Sequence, residues 1–285
     1  MACLRRNGYY RLSAYWYPFR EIINGTRTNT FLENSHFEDA KSLYIFDKEI
    51  KLILLDAIER LEIAVRAEIA SVLGCYDTFA HTNPRLLHRW FNEPNLRRNG
   101  IVPFEEWTAR YNDMVSRSKD EFVKHHWRIY GRESPLPIWI AIELWDFGLT
   151  SRFYSGMRVR DRQVISERFA VPDWQVMESW LRTLNYVRNV IAHHGRLWNL
   201  DIVEKPILPR HDAMSAFAPL RHIANVESRI YSISCILAHF SHVINPDSKW
   251  TIRFADKIRS FPAMPHARIG DMGFPSDWYT HDFWQ

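Results

Sequence analysis

The sequence predicts an all-α protein. Apolar residues recur at spacings of three and four along several long segments, the pattern of amphipathic helices. Proline and glycine sit at the ends of those segments, where helices start and stop. The chain has 285 residues and is 46% hydrophobic and 14% aromatic, enough apolar surface to bury a core.

The elements follow in order. Tyr9 to Phe19 is aromatic and reads as a short helix or a strand, since periodicity does not separate the two there. Asn24 to Asn34 is polar and turn-rich, a loop or hairpin. Asp47 to Leu73 is the clearest helix, about 40 Å long at 1.5 Å per residue. Leu54, Ile58, Leu61, Val65, Ile69 and Val72 form its stripe, and Asp56–Arg60 and Glu62–Arg66 are supporting i,i+4 pairs. Gly74 is expected to end it in a left-handed conformation. Asp77 to Pro103, with three prolines and Gly100, reads as loops and short helices. Ser118 and Glu121 form a capping box before Phe122 to Tyr130. Pro135–Leu136–Pro137 opens a helix through IWIAIELWDFG, with Trp139, Ile142 and Leu149 toward a core. Pro172–Asp173 starts the next helix, with Met177, Trp180 or Leu181, Leu184, Val187 and Ile191 on its apolar face and Gly195 as its C-cap. Further helices are expected over Ala213 to Phe240 and around Trp250 to Ile258. One domain over residues 1–285 is expected: an aromatic and loop element over 1–35, a helical body over 36–260, and an aromatic tail over 261–285 packed on that body.

The net charge of +4 and pI near 8.9 permit binding to a phosphate backbone without requiring it. Cys3, Cys75 and Cys235 are odd in number and far apart, which argues against a disulfide framework or a cysteine zinc site and fits a reducing cytoplasm. His125–His126 after Glu121 is not H-E-x-x-H and has no third ligand, so no metal or cofactor is expected. The N-terminus has no apolar core of a signal peptide. Ile230 to Ile244 is too short and too polar to span a bilayer.

The chemistry concentrates in Tyr186 to Trp198. Positions four apart share a helix face, so Asn185, Asn189 and His193 form a polar stripe with Arg182 and Arg196 at its ends. Arg188 precedes His193 by five residues, a rotation of about 140° on an ideal helix. Either the long side chain wraps around or the last turn loosens. A histidine can take a proton from a ribose 2′-OH or give one to a leaving 5′-oxygen. A guanidinium grips phosphate and offsets developing charge, and an asparagine can orient the imidazole or hold an oxygen. A bare R-x4-H spacing arises about once by chance in a chain this rich in Arg and His. The Asn after Arg188, the His193–His194 doublet and the helical setting add weight.

RNVIAHHGRLWN resembles the RN-x3-H motif of HEPN proteins in the form carried by the Abi (abortive infection) family. NGYYRLSAYWYPFR, YIFDKEIKLILLDAIERLEIAVRAEI and WIAIELWDFGLTSRFY resemble three further motifs of that family, in order along the chain. The resemblance runs from about Asn7 to the closing MGFPSDW. It implies a HEPN-type helical bundle with additional helices, a role in phage defence or as a toxin, RNA as substrate, and a homodimer in which two R-x4-H motifs face one RNA. Some relatives work with a structured non-coding RNA. Members typically carry a further segment before the YYRLS element, near which this chain starts.

The residues assigned to catalysis are therefore Arg188, Asn189 and His193, with a 2′,3′-cyclic phosphate as product. His194 shares the proton work or serves packing or RNA contact. Glu143, alone among Ile, Leu and Trp, is expected as a buried ion pair or a partner of the Arg188 helix rather than a catalytic group. Arg182, Arg196, Arg5, Arg6 and Arg11 are candidate RNA contacts; the last three, among Tyr9, Tyr10 and Tyr15, either stack on RNA or pack inside the protein. The alternatives to cleavage are a non-cleaving module that holds a partner RNA, and a protein-interaction scaffold. A binder needs cations but no titrating histidine, which favours cleavage.

Overall fold

The computed structural model describes residues 2–95 and 100–285, with the side chains of Ala2 and Cys3 outside that description. It is 65% helical and 5% strand, the all-α class expected. No helix among the described residues is long and apolar enough to cross a membrane. The chain divides into two compact units, residues 1–58 with 186–285, and residues 59–185.

The first unit opens with α1 (Ala2–Asn7) and α2 (Tyr9–Trp16). The aromatic segment is thus a helix, and it buries Leu12, Tyr15 and Trp16. A hairpin follows, β1 (Arg20–Ile23) and β2 (Thr26–Phe31), paired antiparallel with Ile23 opposite Thr26. Asn24 and Gly25 both have positive φ, 51° and 76°, which suits the right-handed strand twist at a two-residue turn. The 38-residue helix α3 (Phe37–Gly74) begins ten residues before the expected start. Glu38 and Asp39 in its first turn complement the helix dipole, and Asp39 accepts from the His36 amide at 3.1 Å. Residues up to Ile58 belong to this unit, with Leu43, Phe46, Ile50, Leu54 and Ile58 buried. Against them packs α12 (Trp250–Arg259), which in turn contacts α11 (Ile230–Ile244). Trp250 Nε1 donates to the Ile53 carbonyl at 2.7 Å, Arg253 pairs with Asp56 at 2.5 Å, and Lys257 pairs with Glu49. Phe274, Trp278 and Trp284 of the tail are buried, and Trp284 stacks on Phe254 at 5.5 Å. Cys235 is buried within α11, and burial pushes its thiol pKa up.

The second unit holds the rest of α3, then α4 (Arg89–Asn92), α5 (Pro103–Arg117), α6 (Glu121–Tyr130), α7 (Ile138–Ala141), α8 (Phe147–Gly156), α9 (Val159–Arg168) and most of α10 (Trp174–Ala192). Its centre is aromatic: Trp107, Tyr111, Trp145 and Phe153 lie within 4.7 to 5.4 Å of one another in consecutive ring contacts. Part of the Asp77 to Pro103 excursion, residues 96–99, lies outside the described residues.

Several local expectations are corrected. Gly74 is the last residue of α3 but has no positive φ, so it does not act as a left-handed cap. The Ser118–Glu121 box does not form; Asp120 is the N-cap of α6, Ser118 Oγ donates to the Asp120 carboxylate, and Glu121 pairs with Lys124. IWIAIELWDFG is not one helix. It breaks into α7, a 3-10 turn at Ile142–Leu144, and α8, because Asp146 caps α8 by accepting from the Leu149 amide at 2.8 Å. That break leaves Trp139 54% exposed and Glu143 exposed, while Ile142 and Leu149 are buried. Glu143 is therefore no buried ion pair. Ala213 to Phe240 is not continuous either. Pro219 confines Ser215–His222 to a 3-10 segment, and Asn225, left-handed at φ 56°, separates that segment from α11.

Candidate functional site

The candidate residues sit where α10 ends. The apolar face of this helix is buried as expected: Met177, Trp180, Leu181, Leu184 and Val187 are inaccessible, and Ile191 nearly so. Asp173 starts the helix by accepting from the Gln175 amide at 2.7 Å. At the other end, the His193 amide still donates to the Asn189 carbonyl at 2.9 Å, a normal helical bond. The helix then closes in two crossed bonds. His194 N–H reaches Ile191 O at 2.9 Å, and Gly195 N–H reaches back to Val190 O at 2.7 Å. This is a Schellman turn, and its left-handed residue is His194, at φ 58°, not the expected Gly195. Histidine is among the non-glycine residues that tolerate this region. Gly195 is needed for a different reason: a Cβ there would lie 2.8 Å from Val190 Cγ1 and 3.1 Å from its carbonyl oxygen.

The turn presents His193 and His194 exposed to solvent, and neither imidazole makes a side-chain hydrogen bond among the described residues. Arg188 and Asn189 are half-buried, and Arg188 Nη1 donates to Asn189 Oδ1 at 3.4 Å. The backbone does not loosen before His193, so Arg188 keeps the offset of an ideal helix and leans on its neighbour.

A buried carboxylate holds the turn from below. Asp47 of α3 is wholly inaccessible. Its oxygens accept from Tyr15 Oη at 2.6 Å, Lys51 Nζ at 3.0 Å, and the amides of Leu197 at 3.1 Å and Trp198 at 2.6 Å. Lys51 Nζ also donates to the Gly195 carbonyl at 3.0 Å. Arg11 donates to the His194 carbonyl at 3.2 Å, and Arg196 donates to the Ala14 carbonyl while its guanidinium lies 5.9 Å over the Trp198 ring. Cations at the last carbonyls of a helix answer the negative end of its dipole. Burial, together with the Asp47 charge and hydrogen bond, pushes the Tyr15 pKa up, so the phenol stays a donor. Burial lowers the Arg196 pKa. Farther along, Asn199 is left-handed at φ 50° and its side chain accepts from Arg229 at 3.0 Å.

The structure separates the candidate cations. Arg5 and Arg6 in the last turn of α1 are exposed, beside Tyr9 and Tyr10 at 57% and 88% exposure, while Tyr15 is buried against Asp47. Arg11 is exposed but tied to His194, and Arg196 is turned inward. In the second unit, exposed Arg182 and half-buried Asn185 line a polar cavity. Of the lesser histidines, His126 is buried with Nε2 3.1 Å from the Pro135 carbonyl, and His125 is exposed. The reading of the sequence missed Asp47. Its signal was present: an acid four residues before Lys51 is an i,i+4 pair, and the flanking Phe46 and Ile50 place it on the buried side of α3.

The family model described as Abi-like protein matches residues 2–199, which takes in α1 through the Asn199 turn. No curated protein and no solved structure matches the chain.

Proposed function

This chain belongs to the Abi-like protein family, and from that premise we propose that it is a metal-independent endoribonuclease of the HEPN type. Family membership points to a role in abortive infection, a form of phage defence. The observation that carries the nuclease reading is the solvent-facing His193 at the end of α10, on a turn fastened by Lys51, Arg11 and the buried Asp47, with Arg188 and Asn189 in the preceding turn. A turn so held can present an imidazole in one orientation without using the imidazole itself for structure.

The reaction follows from those groups. A 2′-OH attacks the adjacent phosphorus and loses its proton to a general base. The bond to the 5′-oxygen breaks, and that oxygen takes a proton from a general acid. The products are a 2′,3′-cyclic phosphate and a 5′-hydroxyl. His193 serves as acid or base, Arg188 grips the phosphate, and Asn189 holds the guanidinium or a phosphate oxygen. Two copies of the chain supply the two imidazoles that acid and base require.

The test is cleavage of a mixed RNA by the purified chain with chelator present. His193→Ala is expected to slow cleavage by about 10²–10⁴ while most RNA affinity remains, because affinity rests on Arg and Lys. Cleavage by His193→Ala at the wild-type rate, or cleavage that disappears with chelator, overturns the mechanism.

A further inference from the structure

A cavity of about 430 Å³ lies wholly within the second unit, with walls from α5, α8 and α10 and with Trp90 of α4. Sites for small ligands typically span ~300–1,000 Å³. Three guanidinium groups line it, those of Arg110, Arg152 and Arg182. Arg110 is held by an ion pair with Asp146, the cap of α8. Arg152 has its guanidinium carbon over two aromatic rings, 5.1 Å from the Trp90 centroid and 5.8 Å from that of Phe91. Arg182 extends from an exposed position on α10. The remaining walls include Trp107, the amide of Asn185 and the hydroxyls of Ser151 and Ser155. Two carboxylates complete the lining, Glu106 and Glu178, of which Glu178 pairs with Arg162.

We infer that this pocket binds a nucleoside phosphate carrying a single phosphate group. Guanidinium forks match phosphate oxygens, which accounts for three of them around one cavity. Inorganic phosphate alone would leave the half-buried Trp90 ring and the amide without use. A base needs both: a ring to stack on and polar groups for its edge, with hydroxyls and carboxylates for the sugar. Asp146 offsets Arg110 and Arg162 offsets Glu178, so Arg152 and Arg182 set against Glu106 leave a small positive balance, which suits a phosphodiester or monophosphate and works against a triphosphate. The same chemistry reaches the pocket as one nucleotide of an RNA strand or as a free mononucleotide. The RNA source rests on the RNA reading above; the pocket itself does not.

The experiment is calorimetric titration of the full chain with AMP, GMP, CMP, UMP and inorganic phosphate, each alone. Fluorescence anisotropy on a short single-stranded RNA follows, with the His193→Ala background to prevent cleavage. Three variants probe the walls: Arg152→Gln, Arg182→Gln and Gly148→Leu. A Cβ at Gly148 would lie 3.2 Å from Asp146 Oδ1 and 3.5 Å from both Arg110 Nη1 and Asn185 Oδ1, so the leucine fills the cavity and crowds the Asp146–Arg110 pair on its wall. Arg182→Gln changes an exposed position and keeps the test informative if a buried variant misfolds. At least one mononucleotide is expected to saturate the wild type, at least tenfold more tightly than inorganic phosphate, and to weaken at least tenfold in each folded variant. A parallel tenfold loss of RNA affinity identifies an RNA strand as the source; unchanged RNA affinity identifies a free nucleotide. The inference is overturned if no mononucleotide binds, if inorganic phosphate binds as well as the nucleotides, or if the folded variants bind like wild type. Pocket binding without cleavage by the wild-type chain sinks only the nuclease reading, and cleavage without pocket binding sinks only this one.

Discussion

Asp47→Asn should harm this protein more than removal of both Asp47 and its cation. The carboxylate is wholly buried and accepts from four donors, among them a lysine whose side chain is only 10% exposed. The amide keeps the shape but loses the charge, and its NH2 group must face either Tyr15 and Lys51 together or the Leu197 and Trp198 amides; the first arrangement keeps the two amide bonds. Lys51 is then left with the Gly195 carbonyl as its one remaining acceptor among these contacts. Breaking a buried pair on one side typically costs about 3–5 kcal/mol, whereas replacing both partners by apolar groups of similar size is often near neutral. At roughly 2 °C per kcal/mol for a chain of this size, Asp47→Asn should lower Tm by about 6–10 °C. Asp47→Asn with Lys51→Met should recover much of that loss. The assay is thermal unfolding by circular dichroism at pH 7, with cleavage measured on the same samples below the transition. Cleavage should fall in both variants, because each loosens the turn that carries His193. A loss under about 2 °C for Asp47→Asn, or a double variant clearly less stable than the single, refutes the argument that this carboxylate is a charged clamp.

Other expectations follow from the same geometry. Arg188→Ala should weaken both RNA affinity and cleavage, unlike His193→Ala; a pure rate effect in anisotropy and cleavage assays would remove Arg188 from phosphate binding. The chain should dimerise through or near the Arg188–His193 segment, and light scattering that shows a strict monomer at all concentrations, with and without RNA, would count against two facing motifs. His81 is fully buried, packs edge-on to Tyr111 at 5.4 Å, and has no hydrogen-bond partner for either ring nitrogen among the described residues. Burial lowers its pKa from 6.5 to about 4. Its contribution is complete above pH 6.5, where the ring is neutral in both states. Below that the unfolded chain takes up a proton that the native ring refuses, so stability falls as pH drops toward 4, by about 3 kcal/mol in all. His81→Phe should flatten that slope in urea unfolding at pH 7, 5.5 and 4.5; an unchanged slope would show that His81 is not its source.

The long periodic elements were legible in the sequence because their stripes are reinforced by tertiary packing. α10 shows this best: its expected apolar face is buried throughout, with both alternatives, Trp180 and Leu181, inside. What misled was local punctuation. Ser118 and Glu121 have the spacing of a capping box, yet the N-cap position falls to Asp120 between them, whose carboxylate accepts from Ser118 Oγ rather than from a helix amide. IWIAIELWDFG is apolar enough for a helix, but Asp146 inside it starts a new one and swings Glu143 and Trp139 outward. Spacing alone cannot decide which of two adjacent capping residues wins, because each is worth only about 1 kcal/mol. The site was half legible. Arg188, Asn189 and His193 fall within one helix turn and its cap, as their spacing requires. Asp47 was only partly legible, through its i,i+4 spacing to Lys51, for a different reason. Its partners lie in three stretches of chain, Tyr15, Lys51 and Leu197–Trp198, and only folding brings them together. Three of the four motifs that carry the family resemblance meet at this one carboxylate, so much of what the motifs encode is the clamp rather than the chemistry.

That distinction bears on His194. Its backbone is left-handed at φ 58° and its carbonyl is fixed by Arg11, so the residue has a structural task that its imidazole does not perform. Glycine does the same backbone work at a helix C-terminus without the Cβ strain, which is worth about 1 kcal/mol. His194→Gly should therefore leave stability unchanged or raise it by up to that amount. Loss of activity in this variant then has one meaning. If cleavage falls by an order of magnitude or more while Tm holds or rises, the second imidazole takes part in proton transfer or RNA contact. If cleavage also holds, His193 is the working histidine of the doublet, and His194 is present for its tolerance of the left-handed turn. A fall in Tm by several degrees would contradict both readings, since it would mean that the imidazole itself supports the turn.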